Sequence, residues 1–491
     1  MWEKLRAFLL TNQTARQIIA KNVFWLSVSN IGSRLIRAAI IIYAARLLGA
    51  AEYGVFSYAL GLAGFFTIFV DVGISSILTR EVAKKPERAS HFFSTTFWMK
   101  SVLLFGTTFL ILFVAPYFSN IDAARVLLPL VALLVIFDNL REFSNAFFRA
   151  KEKMEYEALV TTAMNVAITV FGFVALAIAV NAHSLMIAYV GSAGAGFFAA
   201  ALLLREEFAR IFRSFDRTLI RPVLRSAWPI ALMGLLGAMS LNVDIIMLGW
   251  FRTPEEIGFY SAGQKIVQVL YTFPAIVASA LLPLLSRLVG IQDKIKFRLL
   301  TEKGLALVFA VAFPLAVGGI VLAQPIIGFL YGSEYLPGAS AFQILIMTVL
   351  VVFPGTILGN IVFAHDKQKK IAGYIGVTSI GNVVLNVILI PPFGIVGAAV
   401  ATIVSQAFFN GLMWRFVKRL APFAVGRHLV KMGIATFIMG LIAFALSAAG
   451  VHVLATITIA ALSYFAILAV LKERILAEAR DILNVAKNGS S

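Results

Sequence analysis

Apolar stretches of about 20 residues or more recur along nearly all of the 491-residue chain, separated by short polar connections. A helix rises ~1.5 Å per residue, so each stretch can cross the ~30 Å hydrocarbon core of a bilayer. Lipid offers no partner for a backbone amide, which leaves helices or closed barrels as the only spanning forms. A barrel would show ~10-residue segments of alternating polarity, and the sequence has none. The expected class is an all-α polytopic membrane protein. Composition agrees: 60% of residues are hydrophobic and 13% charged, against about 25% charged in soluble domains. Cysteine is absent, which excludes disulfides and thiolate chemistry.

Fourteen spans are expected, at roughly 22–45, 54–79, 92–117, 125–148, 157–180, 184–204, 224–250, 257–286, 301–324, 340–363, 371–391, 394–416, 429–449 and 452–471. Charge distribution tests this map. Of 42 Lys and Arg residues, only Arg46, Arg125 and Arg252 fall in the odd-numbered connections, and Arg34, Arg37, Lys100, Arg141 and Lys265 lie within spans. The rest sit at the two termini, in the even-numbered connections, or within three residues of a span end beside them. Under the positive-inside rule that side is cytoplasmic, and both termini are expected there. The net charge of +18 is then a topology signal and argues against nucleic acid as a partner. Leu5, Phe8 and Leu9 among basic residues suggest an interfacial helix rather than a cleaved signal peptide in residues 1–21.

An internal repeat is visible. "EYGVFSYA" (Glu52–Ala59) matches "EIGFYSAG" (Glu256–Gly263), 204 residues later, and "MNVAITV" (Met164–Val170) echoes "GNVVLNV" (Gly381–Val387). Each repeat holds six spans, an even number, so both copies run the same way through the membrane. The expected organisation is an N-terminal segment 1–21, an N-lobe 22–204, a cytoplasmic inter-lobe linker 205–223, a C-lobe 224–416, a connection 417–428, two extra helices 429–471 and a cytoplasmic tail 472–491.

Chemistry-bearing motifs are few. The five histidines are scattered. "GFYSAGQKI" (Gly258–Ile266) is no phosphate loop, because Gln264 precedes Lys265 inside a helical span. What remains are polar residues within spans, each a functional hypothesis by default. Ser27, Asn30, Arg34 and Arg37 share one face of the first span, and Ser261, Lys265, Gln268 and Thr272 share one face of the eighth. Asn165 with Thr169 and Asn382 with Asn386 line the fifth and eleventh spans. Arg34, Arg37 and Lys265 suit an anionic head group, since a guanidinium can bind two phosphate oxygens together. The competing structural reading pairs Arg34 or Arg37 with Asp71 or Asp244. Asp138 and Arg141, three residues apart, are expected to neutralise each other. Lys100 is expected to snorkel. Interhelical hydrogen bonding competes with sugar contact for the asparagines.

"ARLLGAAEYGVFSYA" (Ala45–Ala59), "DVGISSILTREVA" (Asp71–Ala83) and "PPFGIVGAAVATIVSQ" (Pro391–Gln406) resemble polysaccharide-transport flippases of the multidrug/oligosaccharidyl-lipid/polysaccharide exporter superfamily. The O-antigen or Wzx-type branch is the nearest in character. The resemblance implies two six-helix lobes plus two further helices, in a bacterial or archaeal cytoplasmic membrane. It implies export of a polyprenyl-diphosphate-linked oligosaccharide from inner to outer leaflet by alternating access. Arg34, Arg37 and Lys265 would line the cationic cavity, with Asn30, Gln268, Asn165, Asn382 and Asn386 as further polar lining. The two extra helices would form an apolar groove for the lipid tail. Ion coupling, to H+ or Na+, is implied without any cofactor, with Asp71, Asp244 and Asp138 as nominees. Polymerase and chain-length machinery are implied partners, and a monomer is expected. The competing classes are a drug or cation antiporter, which would want an acidic cavity, and a membrane glycan polymerase or ligase, which the short outer loops disfavour.

Overall fold

The computed structural model describes the backbone of residues 15–471 and residue 473, and side chains from Arg37 onward apart from a few scattered positions. Among the described residues all regular structure is helical. The chain divides into two compact units, Met1–Gly258 and Phe259–Ser491.

The first unit opens with α1 (Ala15–Asp71), 57 residues long. At ~1.5 Å per residue this is more than twice a hydrocarbon core. Gly49, at φ 73°, breaks it where the sequence places the turn between the first two spans, and only glycine adopts that conformation without a Cβ penalty. A second break follows at Gly73, at φ 82°, and α2 (Ile74–Lys84) begins there. The expected second span, 54–79, therefore ends early. Its last residues belong to a separate amphipathic helix, because a positive φ interrupts the hydrogen-bond ladder.

Next come α3 (Ala89–Phe109), α4 (Leu128–Ala150), α5 (Met154–Ile178), α6 (Ala182–Leu203) and α7 (Ile220–Phe251). Small residues set how closely α1 and α7 approach. Gly61 faces Ile245, Gly64 faces Asn242, and Gly249 lies against the Tyr58 ring. At the end of this seam a Cβ on Gly54 would stand 1.8 Å from the Pro254 carbonyl oxygen, and one on Gly258 2.0 Å from that of Ala50. Ala50 and Pro254, like Gly54 and Gly258, are the 204-residue repeat partners. The two copies of the motif thus cross backbone to backbone, in a contact that is reciprocal.

A core of Phe92, Phe93, Phe143, Phe147 and Phe148 joins α2, α3 and α4. The connection after α6 folds onto this core. Ile211 and Leu219 are buried in it. Arg88 reaches Asp216 at 2.8 Å, Lys151 reaches Glu207 at 2.8 Å, and the Trp98 indole donates to the Ile211 carbonyl at 3.3 Å. The expected linker is a docked element of the first unit.

The second unit contains most of α8 (Pro254–Leu270), then α9 (Thr272–Gly290), α10 (Lys294–Val321), α11 (Ala323–Tyr331), α12 (Ala339–Ile346), α13 (Val349–Ala364), α14 (Gln368–Leu420), α15 (Gly426–Ala448) and α16 (Val453–Val470). Helix α14 repeats the device of α1: 53 residues, broken at Gly394 with φ 57°. Polarity is inverted as lipid requires. Phe105, Tyr117 and Ile178 are exposed while Asn145, Asn165 and Asn386 are buried.

Among the described residues ten helices are long and apolar enough to cross a membrane, or eleven if the bent pair Arg217–Trp228 and Ile230–Gly237 is one span. The expected fourteen is not reached by that count. Helices α1 and α14 each run through a glycine break as one piece, and α4 carries Asp138, Arg141 and Glu142 in its membrane-length stretch.

Candidate functional site

Arg37 is exposed partway along α1. Its guanidinium donates to Asn165 Oδ1 on α5 at 3.5 Å and lies within electrostatic range of the Tyr189 hydroxyl on α6. Asn165 is buried, and its amide donates to the Thr161 carbonyl one turn earlier at 2.5 Å. The Tyr189 hydroxyl is buried with no hydrogen-bond partner. The side chains of Asn30 and Arg34, two turns and one turn before Arg37, lie outside the described residues.

The pairing of Arg37 with Asp71 is not formed. Asp71 belongs to Lys100, whose ammonium lies 3.3 Å from Asp71 Oδ1 and 3.1 Å from Ser75 Oγ. The reason is the break at Gly73. It stops α1 at Asp71 and lets the carboxylate accept from the Ser75 backbone N–H at 3.0 Å and hydroxyl at 2.8 Å in the first turn of α2. Lys100 does not snorkel. It is 1% exposed, and its ammonium stands over the Phe143 ring.

A second polar cluster lies along α4 and the start of α5. Arg141 meets Asp138 at 3.2 Å. Arg149 reaches Glu142 at 2.5 Å and forks onto both Glu157 oxygens at 2.9–3.0 Å through Nε. Sequence spacing singled out Asp138 and Arg141 but missed Arg149 and Glu157, which meet across the turn joining the two helices. Asp244 sits on α7, 2% exposed.

In the second unit Lys265 on α8 is half-buried and donates to Gln268 Oε1 at 3.2 Å. The Ser261 hydroxyl, on the same stripe, is buried without a hydrogen-bond partner. On α14 Asn386 donates to Asn382 Oδ1 at 3.2 Å, both buried. Their repeat partners behave alike, for Thr169 donates to the Asn165 carbonyl at 3.0 Å. Each of these asparagines thus takes part in a hydrogen bond within its own helix, and Asn165 also accepts from Arg37. An apolar groove of about 450 Å³ lies between α10 and α15, lined by Phe313, Val317, Phe437, Leu441 and Phe444. Among the described residues no group of His, Cys, Asp and Glu could hold a metal ion.

Helices broken at glycine, polar groups turned inward and an arginine exposed within a span are features of a polytopic membrane protein with polar groups in its spans. The family model described as polysaccharide biosynthesis protein matches residues 19–289, more than half of the chain. The chain belongs to this family. A second model, MatE, matches residues 229–388. Among relatives, the capsular polysaccharide biosynthesis protein CapF of Staphylococcus aureus is 20% identical, over 82% of this chain and 100% of its own. The probable low-salt glycan biosynthesis flippase Agl15 of Haloferax volcanii is 22% identical, over 79% of this chain and 81% of its own. The fold is similar to that of the lipid II flippase MurJ, a structure solved in an inward closed conformation, with a TM-score of 0.72 and 18% identity, over 92% of this chain and 100% of that one. This polysaccharide biosynthesis family member is therefore a multi-pass helical protein whose relatives include proteins named as flippases and transporters.

Proposed function

We propose that the protein flips a polyprenyl-diphosphate-linked oligosaccharide from the inner to the outer leaflet of the cytoplasmic membrane, by alternating access of its two repeats about a cationic cavity. The observation that carries this reading is Arg37. It is exposed within a span, and among the described residues its hydrogen-bond partner is an amide and not a carboxylate. A guanidinium facing hydrocarbon would cost ~2.5–3.5 kcal/mol or more, so it must face water or an anion. A diphosphate supplies that anion, and the guanidinium fork fits two of its oxygens.

The flippase relatives support the substrate class, and Lys265 with Gln268 supplies a second cation and a neutral donor of the kind sugars take. Asp71, Asp138 and Asp244 stand as nominees for H+ or Na+ coupling. The polyprenyl chain stays in lipid while the head group crosses, with the α10–α15 groove as its apolar contact. The MatE match favours one second reading, a drug or cation antiporter. Reconstitution with a fluorescent polyprenyl-diphosphate oligosaccharide separates the two. Flipping that requires Arg37 supports the first, and transport of an organic cation without lipid flipping supports the second.

A further inference from the structure

The connection between the repeats sorts its charges by side. Its acidic residues Glu207 and Asp216 turn inward to Lys151, Ser90 and Arg88. Ile211, Leu219, Val223 and Ala227 are buried against the phenylalanine core. What faces outward is Arg205, Arg210, Arg213, Arg217, Arg221 and Arg225, all exposed, with Glu206 as the exposed acid among them. None of these arginines forms a close ion pair among the described residues, and Arg210 alone is within electrostatic range of an inward acid, Glu207. Between them stand exposed rings: Phe212 at 76% and Trp228 at 62%. Phe212 is held in place by Trp98, with ring centroids 5.1 Å apart.

We propose that residues 205–228 form an in-plane membrane anchor that binds the anionic phospholipid head groups of the leaflet on its own side. Two arguments choose this occupant. The segment begins where α6, an apolar helix of membrane length, ends, takes in the first residues of α7, and is docked on the α2–α4 core of the first unit. It is therefore pinned at the depth of the head groups. Cations interleaved with aromatic rings are the composition of an interfacial element, with the rings entering the acyl boundary and the arginines meeting phosphates. An acidic soluble partner would be served by the charges alone and would leave the rings in water. The inference is independent of what the protein transports.

The test uses the full chain, which has no native cysteine. Ala209→Cys, exposed beside this surface, takes a single nitroxide label. The labelled protein is reconstituted into pure phosphatidylcholine and into phosphatidylcholine with about a third phosphatidylglycerol. Expected is shielding from a water-soluble relaxation agent that is markedly greater with phosphatidylglycerol. Replacing Arg210, Arg213 and Arg217 by Gln should erase the contrast, about a hundredfold loss in preference at ~1 kcal/mol per cation. Replacing the same three by Lys should retain it, which separates lost charge from lost folding. Equal exposure in both membranes, or a contrast that survives the Gln substitutions, would overturn the proposal. Equal shielding in both would overturn it too, since the rings alone would then hold the segment.

Discussion

Lys100 Nζ lies 3.3 Å from Asp71 Oδ1, and the lysine is 1% exposed while the aspartate carboxylate is 33% exposed. The pair ties α3 to the break between α1 and α2. Replacing Asp71 by Ala leaves a buried ammonium without its counter-charge. Breaking a fully buried pair costs ~3–5 kcal/mol, and the partial exposure of Asp71 reduces this to about 2–3 kcal/mol. Thermal unfolding of the purified protein should show the loss, and Asp71→Asn with Lys100→Met should recover most of it. A single Asp71→Ala variant as stable as the parent would mean the pair contributes nothing.

The reciprocal crossing of Gly54 and Gly258 allows no side chain. Each would place a Cβ within about 2 Å of a carbonyl oxygen on the opposing turn. Either Gly54→Val or Gly258→Val should force the helices apart, at a cost of several kcal/mol from overpacking against rigid backbone. Gly106→Ala, where nothing lies within 4 Å, is the control and should change the melting temperature little.

Docking of the 205–219 connection should depend on pH. Burial pushes the Glu207 carboxyl up, but hydrogen bonds from Lys151 and Ser90 outweigh it and hold its pKa below the ordinary value. Asp216 is lowered by bonds from the Thr218 hydroxyl and backbone, with Arg88 adding to them. Both are depressed in the folded state, so their contribution is full above the ordinary carboxylate range of ~4 and is lost as pH falls through the depressed values. Amide protection in this segment, with exchange rates corrected for their intrinsic pH dependence, should be high and flat near neutrality and should fall below about pH 4. Glu207→Gln should be less protected at neutral pH, with a protection that depends less on pH. Identical profiles for the two would refute the assignment.

Much of the architecture is legible in the chain. Apolar run length and the placement of basic residues give a helical polytopic protein, and the 204-residue echo anticipates a relation between two turns that the structure realises as the Gly54–Gly258 crossing. The misreadings share one cause. Helical periodicity carries across a glycine, so it neither stops α1 at Asp71 nor starts α2 at Ile74. With that break unseen, Asp71 looked available to Arg37, and Lys100 looked like a snorkelling residue. The Arg149–Glu157 fork was equally out of reach, because the two residues meet around a turn that no i,i+3 or i,i+4 rule covers. Arg37 itself was visible as an energetic anomaly, and the structure sharpens it by giving its carboxylate rival to Lys100.

The central claim rests on that arginine. In proteoliposomes carrying a fluorescent polyprenyl-diphosphate oligosaccharide, Arg37→Ala should reduce flipping at least tenfold, the equivalent of about one lost charge-assisted hydrogen bond. Insertion and melting temperature should stay unchanged, and Arg37→Lys should retain part of the activity. Full-rate flipping by a correctly inserted Arg37→Ala protein would contradict the account.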